Sequence, residues 1–255
     1  MPDERVIVLK YGGSVLTDRA SLGAVADDIG RWRGDGYGVV AVVSALRGRT
    51  DALIARCDGL PCAFERAEIL SSGERESAAL LGLVLREHGL SASVLSAAEM
   101  GLRADGDPLD ADPTLIDNMT FRGVLEDVGI VVAPGYTAVD ANGRTVVLGR
   151  GGSDLTALWI ASAIGGARCR LVKDVDALYD RDPALPGPPA RRLTAVTHAQ
   201  ALQTDGSIVQ HKAIRFALAR GLVFELGAIG SAGGTIIGGA ASTPAVRNAE
   251  TVAIG

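Results

Sequence analysis

Lysine is almost absent from this chain of 255 residues: among 25 basic side chains only Lys10, Lys173 and Lys212 are lysines, and the rest are arginine. The abundance of Ala, Gly and Arg looks like the codon bias of a GC-rich genome, which exchanges any lysine that arginine can replace, so a surviving lysine is informative. Aromatic residues are scarce too, at 4%. That leaves little for the stacking platforms that bind single-stranded nucleic acid, and a net charge of −5 removes the electrostatic case for a polyanionic partner. No apolar run reaches the roughly 18 residues of a membrane span, and the polar amino terminus, MPDER, has nothing like the hydrophobic segment of a signal peptide. The expectation is a cytoplasmic protein with neither nucleic acid nor membrane as partner. Cys57, Cys62 and Cys169 are odd in number and share no metal-ligand or redox spacing with His88, His198 and His211. The thiols read as reduced and structural, and no metal site is expected.

What the chain does have is an apolar share of 47% with 22% charged residues, the balance of a globular protein. Its length allows one large α/β domain or two modest lobes. An apolar run from Arg5 to Lys10, the pair Gly12-Gly13, and then Leu22, Val25, Ala26, Ile29 and Trp32 at helical spacing predict strand, turn and helix. Gly38 to Val43 is a continuous apolar run, as in a parallel strand buried on both faces. A helix from about Glu65 to His88, closed by Gly89, precedes an expected strand at Ser91 to Leu95. Gly129 to Ala133 is another buried strand, and Thr137–Val139 with Thr145–Leu148 form a hairpin around an Asn-Gly turn. A glycine-rich turn, Gly149 to Gly152, leads to a helix from Ser153 or Asp154, followed by a strand at Arg168 to Val172. The proline-rich stretch Asp180 to Pro189 is a loop. Helices are expected near Val196–Leu202 and Ile208–Arg220, and a strand at Leu222–Leu226. Alternating strands and helices of this kind give an α/β fold with a mainly parallel sheet. No linker or internal repeat divides the chain.

Two glycine turns between strand and helix, KYGGSVL (Lys10 to Leu16) and LGRGGSDLTA (Leu148 to Ala157), place backbone N–H groups and a positive helix end where an anion would bind. One such turn is weak evidence, since tight packing asks for the same glycines. A pair, one with Lys10 and the other with Arg-Gly-Gly-Ser-Asp, is harder to read as packing alone. Neither is a Walker sequence, no G-x-G-x-x-G opens a helix, and the H-R-D and D-F-G marks of protein kinases are absent.

These segments resemble, in order along nearly the whole chain, the amino-acid kinase family and within it the aspartate kinases. KYGGSVL is similar to the K-x-G-G-[ST] opening, VVSALRGRTD (Val42 to Asp51) to V-V-S-A…T-D, and SSGERES (Ser71 to Ser77) to S-G-E…S. PGYTAVDANGRTVVLGRGGSDLTA (Pro134 to Ala157) follows P-G-F…T-L-G-R-G-G-S-D-x-T-A almost letter for letter. KDVDALYDRDP (Lys173 to Pro183) resembles T-D-V-D-G-[VI]-Y-x-x-D-P, and GSIVQHKA and GTII resemble G-A-K-V-L-H-P-[RK]-A and G-T-L-I.

The resemblance implies a three-layer sandwich in a single domain over residues 1–255, with an acceptor-binding lobe over about 1–148 and an ATP-binding lobe over about 149–255. It implies a kinase that uses ATP and Mg²⁺ to convert the side-chain carboxylate of aspartate, or a close analogue, to an acyl phosphate, and it suggests a homodimer. In that reading Lys10 reaches the transferred phosphoryl group, Asp154 orients the cationic groups, and Gly12, Gly13, Ser14, Gly151 and Gly152 cradle phosphate oxygens. Arg150 clasps a substrate carboxylate, and Ser44, Thr50, Glu74 and Ser153 contact the amino acid, Glu74 through its ammonium group. Lys173, Asp174, Asp176, Tyr179 and Arg181 fall on the nucleotide side. On local grounds alone, Glu74 beside Arg75 and Glu76 reads as a solvated helix face, Asp174 and Asp176 as turn-formers, and Arg150 as a hairpin cap.

Several positions depart from the family pattern. Ile208 stands where the family carries a lysine that contacts ATP phosphates. If the segment is a helix, Lys212 shares its face and supplies the missing ammonium, which would make it catalytic. Ala184 replaces the D-P-R arginine, with Arg181 as the nearest substitute, and Ala177 replaces a glycine. The first turn, G-G-S-V rather than the longer G-G-T-S-V, is closer to relatives that act on phosphate monoesters or other acceptors. The sequence ends soon after GTII, where most aspartate kinases continue into paired ACT domains that bind lysine or threonine, so freedom from that feedback is expected. Two other readings stay open: a kinase of this fold with another acceptor, such as a phosphorylated metabolite or phosphonate, and a non-catalytic nucleotide-binding regulator or storage protein.

Overall fold

The computed structural model describes residues 5–204, 206–231 and 233–239. The elements, in chain order, are β1 (Val6–Tyr11), α1 (Arg19–Gly34), β2 (Gly38–Val43), α2 (Arg49–Cys57), α3 (Ala63–Glu87), β3 (Ser93–Val94), β4 (Arg103–Asp105), β5 (Asp112–Leu115), α4 (Asn118–Val128), β6 (Ile130–Pro134), β7 (Thr137–Val139) and β8 (Thr145–Val147). They continue with α5 (Gly152–Ile164), β9 (Arg168–Lys173), β10 (Leu178–Tyr179), β11 (Arg192–Leu193), β12 (Ala195–Val196), α6 (His198–Ala201), α7 (His211–Ala219), β13 (Phe224–Ala228) and β14 (Thr235–Ile237).

Eight strands make the central sheet in the order β12-β14-β13-β9-β1-β2-β6-β3. Every pairing in it is parallel except that of β13 with β14. The strands β1, β2 and β6 are apolar almost throughout because helices cover both faces of the sheet. On one face Ile7, Leu9 and Tyr11 pack with Leu22, Val25 and Ile29 of α1 and Leu81 and Leu85 of α3. On the other, Val8, Val40 and Val42 pack with Leu155, Leu158 and Trp159 of α5 and Ile214 of α7. Alternation along β1 therefore turns Lys10, two residues after Val8, toward the α5 layer. A smaller sheet, β5-β4-β7-β8, extends from this frame and carries the hairpin that ends at the second glycine turn.

The helices and strands expected from periodicity are present, with differences that have physical causes. The helix α2 shows only Leu53 and Cys57 to the core, too short an apolar stripe to read in sequence. The strand expected at Ser91 to Leu95 shrinks to Ser93–Val94 at the sheet edge, where it has a partner on only one side. In the hairpin, Gly143 alone takes a positive φ (78°), while the Asp140 carboxylate accepts from the amides of Asn142 and Arg144 and closes the turn without strain at Asn142. The helix expected from Ile208 begins only at His211, and the one near Val196 begins at His198 after a short strand. Residues 240–255 lie outside the described residues. Among the described residues no helix is long and apolar enough to cross a membrane.

One buried polar group ties β1 to α1. The Tyr11 hydroxyl donates to Asp28 Oδ2 at 2.8 Å, and Arg31 donates to Asp28 Oδ1 at 2.7 Å. Burial, reinforced by the Asp28 charge, pushes the phenol well above its ordinary pKa, so it stays a donor. Replacing Tyr11 by Phe is expected to lower the unfolding free energy by about 1–3 kcal/mol, the range for a buried bond to a charged group. Urea denaturation checks this, and an unchanged midpoint and slope would contradict it.

Candidate active site

The carboxyl ends of β1, β2, β6 and β9 open onto one crevice, the usual place for a ligand in an open parallel sheet. Two glycine turns form its floor. After β1 the chain bends through Gly12-Gly13, with the amides of Val15 and Leu16 both donating to the Gly12 carbonyl. A Cβ at Gly12 would sit 2.8 Å from Lys10 Nζ, so only glycine leaves the ammonium its place. The second turn, Gly149–Gly152, takes positive φ at Gly149 (70°) and Gly151 (76°) and feeds α5, which has no side-chain cap. The first amides of α5 and its positive end thus face the crevice.

Between the turns lies a buried charge cluster. Asp154, in the first turn of α5, is 3% exposed. Lys10 Nζ approaches its Oδ1 at 2.7 Å, and Lys173 Nζ, from the end of β9, its Oδ2 at 2.9 Å. Burial disfavours the Asp154 carboxylate, but the two ammonium groups outweigh it and hold the pKa down at about 2. Lys10 is lowered to about 8: burial dominates, Asp154 opposes it, and Lys173 adds to it. Two cations share one anion here, so a buried net positive charge faces the crevice.

A third ionisable group approaches from α3. Gly73 lets that helix come close, since a Cβ there would lie 2.8 Å from the Ala45 Cβ, and the next residue, Glu74, is 3% exposed. Its Oε1 accepts from the Ala45 amide at 3.2 Å, and its Oε2 is buried without a partner. Burial raises its pKa to about 7, against the pull of that amide and of Lys10. The solvated helix face suggested by its neighbours is thus overturned: Arg75 pairs with Glu68 and Glu76 with Arg49 on the outside, while Glu74 points in.

These groups line one cavity of about 670 Å³, together with Ser14, Ser44, Thr50, Arg150, Gly151, Gly152 and Ser153. Arg150 is exposed on the turn. The cavity also takes in residues that the motifs did not single out. Tyr136 holds a positive φ of 67°, rare for a side chain of its size, with its amide donating to Thr156 Oγ1. Arg47 donates from its Nη2 to the Ser14 carbonyl at 2.5 Å and from its Nε to the Gly13 carbonyl at 3.3 Å, fastening the loop after β2 to the first glycine turn.

Five expected residues lie elsewhere. Asp174, Asp176, Tyr179 and Arg181 follow β9 away from the cavity wall. Asp176 accepts from the Tyr179 hydroxyl at 2.9 Å and from Arg192 at 3.1 Å. Arg181 spends its guanidinium on the carbonyls of Leu185, Pro186 and Pro188, bracing its own loop rather than reaching outward. Lys212 departs furthest from expectation. Because α7 starts at His211, Ile208 and Lys212 share no helical face, and Ile208 lines the cavity while the Lys212 ammonium turns to Asp110, at 2.6 Å. The second ammonium beside Lys10 belongs to Lys173.

The model of the family described as "Amino acid kinase family" matches residues 5–223. The aspartokinase of Pseudomonas aeruginosa is 33% identical over 218 residues, which are 83% of this chain and 53% of that protein. The chain spans about half the length of the curated relatives it matches. Among solved structures, Escherichia coli aspartokinase III in complex with aspartate and ADP superposes with a TM-score of 0.76 at 22% identity, over 92% of this chain and 64% of that one. An isopentenyl phosphate kinase superposes with a TM-score of 0.68 at 19% identity, over 91% of this chain and 100% of that one. At such identities the superpositions speak for the fold. With the family model spanning most of the chain and a parallel sheet carrying both glycine turns at its carboxyl edge, the protein belongs to the amino-acid kinase family.

Proposed function

We propose that the protein is an ATP-dependent kinase that phosphorylates the side-chain carboxylate of aspartate, or of a close analogue, to an acyl phosphate. The observation that carries this reading is the buried Lys10–Asp154–Lys173 cluster, set between two glycine turns, with Glu74, one of whose buried oxygens has no partner, lining the same cavity. A phosphoryl group in flight spreads negative charge over its oxygens, and two ammonium groups held in place by one carboxylate meet that charge without reorganising. The curated relatives are named aspartokinases, and the E. coli neighbour was solved with aspartate and ADP.

In this reading the chain has an acceptor side over about residues 1–148 and a nucleotide side over about 149–255. Lys10 and Lys173 flank the transferred group, and the amides of Gly12-Gly13 and Gly151-Gly152 take its oxygens. Glu74 receives the acceptor's ammonium group, Arg150 a carboxylate, and Ser44, Thr50 and Ser153 its remaining polar atoms. A carboxylate oxygen of the acceptor forms the new bond to the γ-phosphorus while the bond from that phosphorus to the β,γ-bridging oxygen breaks, releasing ADP. The attacking carboxylate is already ionised at neutral pH, so no general base is required. Asp154, saturated by two lysines, is left to hold them. The adenosine end is assigned to the segment from Asp174 to Tyr179, which continues directly from Lys173. Among the described residues no three His, Cys, Asp or Glu side chains converge as a metal cage. Mg²⁺, the usual companion of ATP, would neutralise charge on the nucleotide's phosphates when bound.

A phosphorylated acceptor is the second reading, favoured by the guanidinium of Arg47 in the cavity wall. Two carbonyls already occupy that group, and Glu74 would repel a phosphate. The deciding assay traps acyl phosphate with hydroxylamine in the presence of ATP. Hydroxamate is expected with aspartate, and its absence across a panel of acidic amino acids, with ADP released on a phosphorylated acceptor instead, would transfer the assignment.

The charges set three further outcomes. Substituting Lys173 by Met is expected to lower kcat by about a hundredfold or more, the scale on which a single electrostatic contact to a transition state acts, with nucleotide affinity changed far less. Steady-state kinetics beside calorimetry with a non-hydrolysable ATP analogue measures both. The pH profile of kcat/KM is expected to be a narrow bell. Activity rises as Glu74 loses its proton through about 7 and falls as Lys10 loses its own through about 8. Glu74→Gln should remove the acid limb and raise the KM for the amino acid. Since folding raises the Glu74 pKa from 4.5, its contribution to stability is present at low pH and lost as pH rises through about 7. The same variant should therefore melt at a higher temperature than the parent at pH 8, and a lower melting point there would contradict the assignment of a strained, ionised carboxylate.

A further inference from the structure

Lys212 is the lysine that the cavity does not use, yet its ammonium is crowded with acceptors. It donates to Asp110 Oδ1 at 2.6 Å and to the carbonyls of Ala111 and Leu148, both at 3.1 Å, and it stands 3.2 Å from Asp112 Oδ1. The acceptors come from two neighbouring segments. One is residues 107–112 and the other is the end of β8, and they are laced together by Val147 donating to the Pro108 carbonyl and Ala111 to that of Val147. Leu148 carries the last carbonyl before the Gly149–Gly152 turn.

That turn is gripped from two sides. A Cβ at Gly149 would collide with the Asp110 carboxylate, and one at Gly151 would collide with Gln210, the residue just before the first turn of α7. Lys212, two residues beyond Gln210, is bonded to Asp110 and so joins the two jaws. The Asp110 and Asp112 side chains are 64% and 81% exposed, and exposed ion pairs contribute little to folding. The two main-chain carbonyls are a different matter, because they fix where the segments lie rather than how tightly the chain folds.

We infer that Lys212 is a positioning residue: by tying the start of α7 to residues 107–112 and to the end of β8, it holds the turn that presents Arg150 to the cavity. Its kinetic consequence rests on the reading of that cavity as a carboxylate-kinase site. Released from the tie, the turn gains freedom, and the acceptor loses an aligned guanidinium while the Lys10–Asp154–Lys173 cluster keeps its geometry.

The test uses Lys212→Met, Asp110→Asn, the double variant and Lys212→Arg, with hydrogen exchange by mass spectrometry, steady-state kinetics and thermal melting. Exchange in Lys212→Met is expected to quicken about tenfold over residues 107–112 and 148–152, and the KM for aspartate to rise about tenfold with the KM for ATP within about twofold, as expected when only acceptor binding is loosened. The double variant should be no worse than the more damaging single one, because both remove the same tie, and Lys212→Arg should recover most of the loss. Unchanged exchange over 148–152 would overturn the inference, as would a KM for ATP and a melting point that deteriorate in step with the KM for aspartate. If the parent protein phosphorylates no amino acid, the functional reading falls and the exchange measurement alone decides the role of Lys212.

Discussion

Asp154 is the point on which the site is built. A carboxylate that is 3% exposed survives as an anion only because Lys10 and Lys173 reach it from two adjacent parallel strands, and each lysine tolerates burial only because the carboxylate is there. Neither strand could move in register without breaking the cluster, since a slip of one residue would turn Lys10 to the α1 layer and set an unpaired charge among Leu22, Val25 and Ile29. The glycines follow from the same constraint. A side chain at Gly12 would displace the Lys10 ammonium, and Gly151 and Gly152 let the start of α5, which carries Asp154, lie against Gln210 and against Tyr136 and Leu148.

Two other residues of the cavity lining, Glu74 and Tyr136, are held at a cost. Glu74 is driven in by the close contact of α3 with the loop after β2 and keeps an oxygen without a partner, a cost that a purely structural helix would avoid by placing an apolar residue there. Tyr136 is held at positive φ by bonds on both of its peptide groups, to Thr156 and Leu148. Strain that surrounding structure over-determines is a mark of sites rather than of scaffolds.

Much of this was readable in the chain before its folding was known. The apolar runs of β1, β2 and β6, the long periodic stretch of α3 and the two glycine turns appear where periodicity and punctuation place them, because each depends on neighbours close in sequence. The small sheet strands β4 and β5 and the helix α2 did not stand out, since their apolar positions are few and only packing against distant segments makes them regular. At the site, motif order brought Lys10, Glu74, Arg150, Ser153 and Asp154 to one cavity. It missed Arg47 and Tyr136, whose parts in the wall are set by a loop contact and a backbone angle that no residue type announces.

The lysines draw the line between the two kinds of information. Their rarity in an arginine-rich chain, the parallel α/β order and the identity of the glycine turns were determined by the sequence alone, because composition and local periodicity carry them. Which lysine does what was decided by tertiary structure. Lys173 and Lys10 meet at Asp154 because β9 and β1 are neighbours in the sheet although far apart in the chain. Lys212 is turned aside because α7 begins three residues later than helical periodicity suggested, which carries its ammonium to Asp110 instead of into the cavity. Charge in a folded chain goes where its nearest counter-charge is fixed, and that partner is chosen by packing across a hundred residues rather than by spacing along ten.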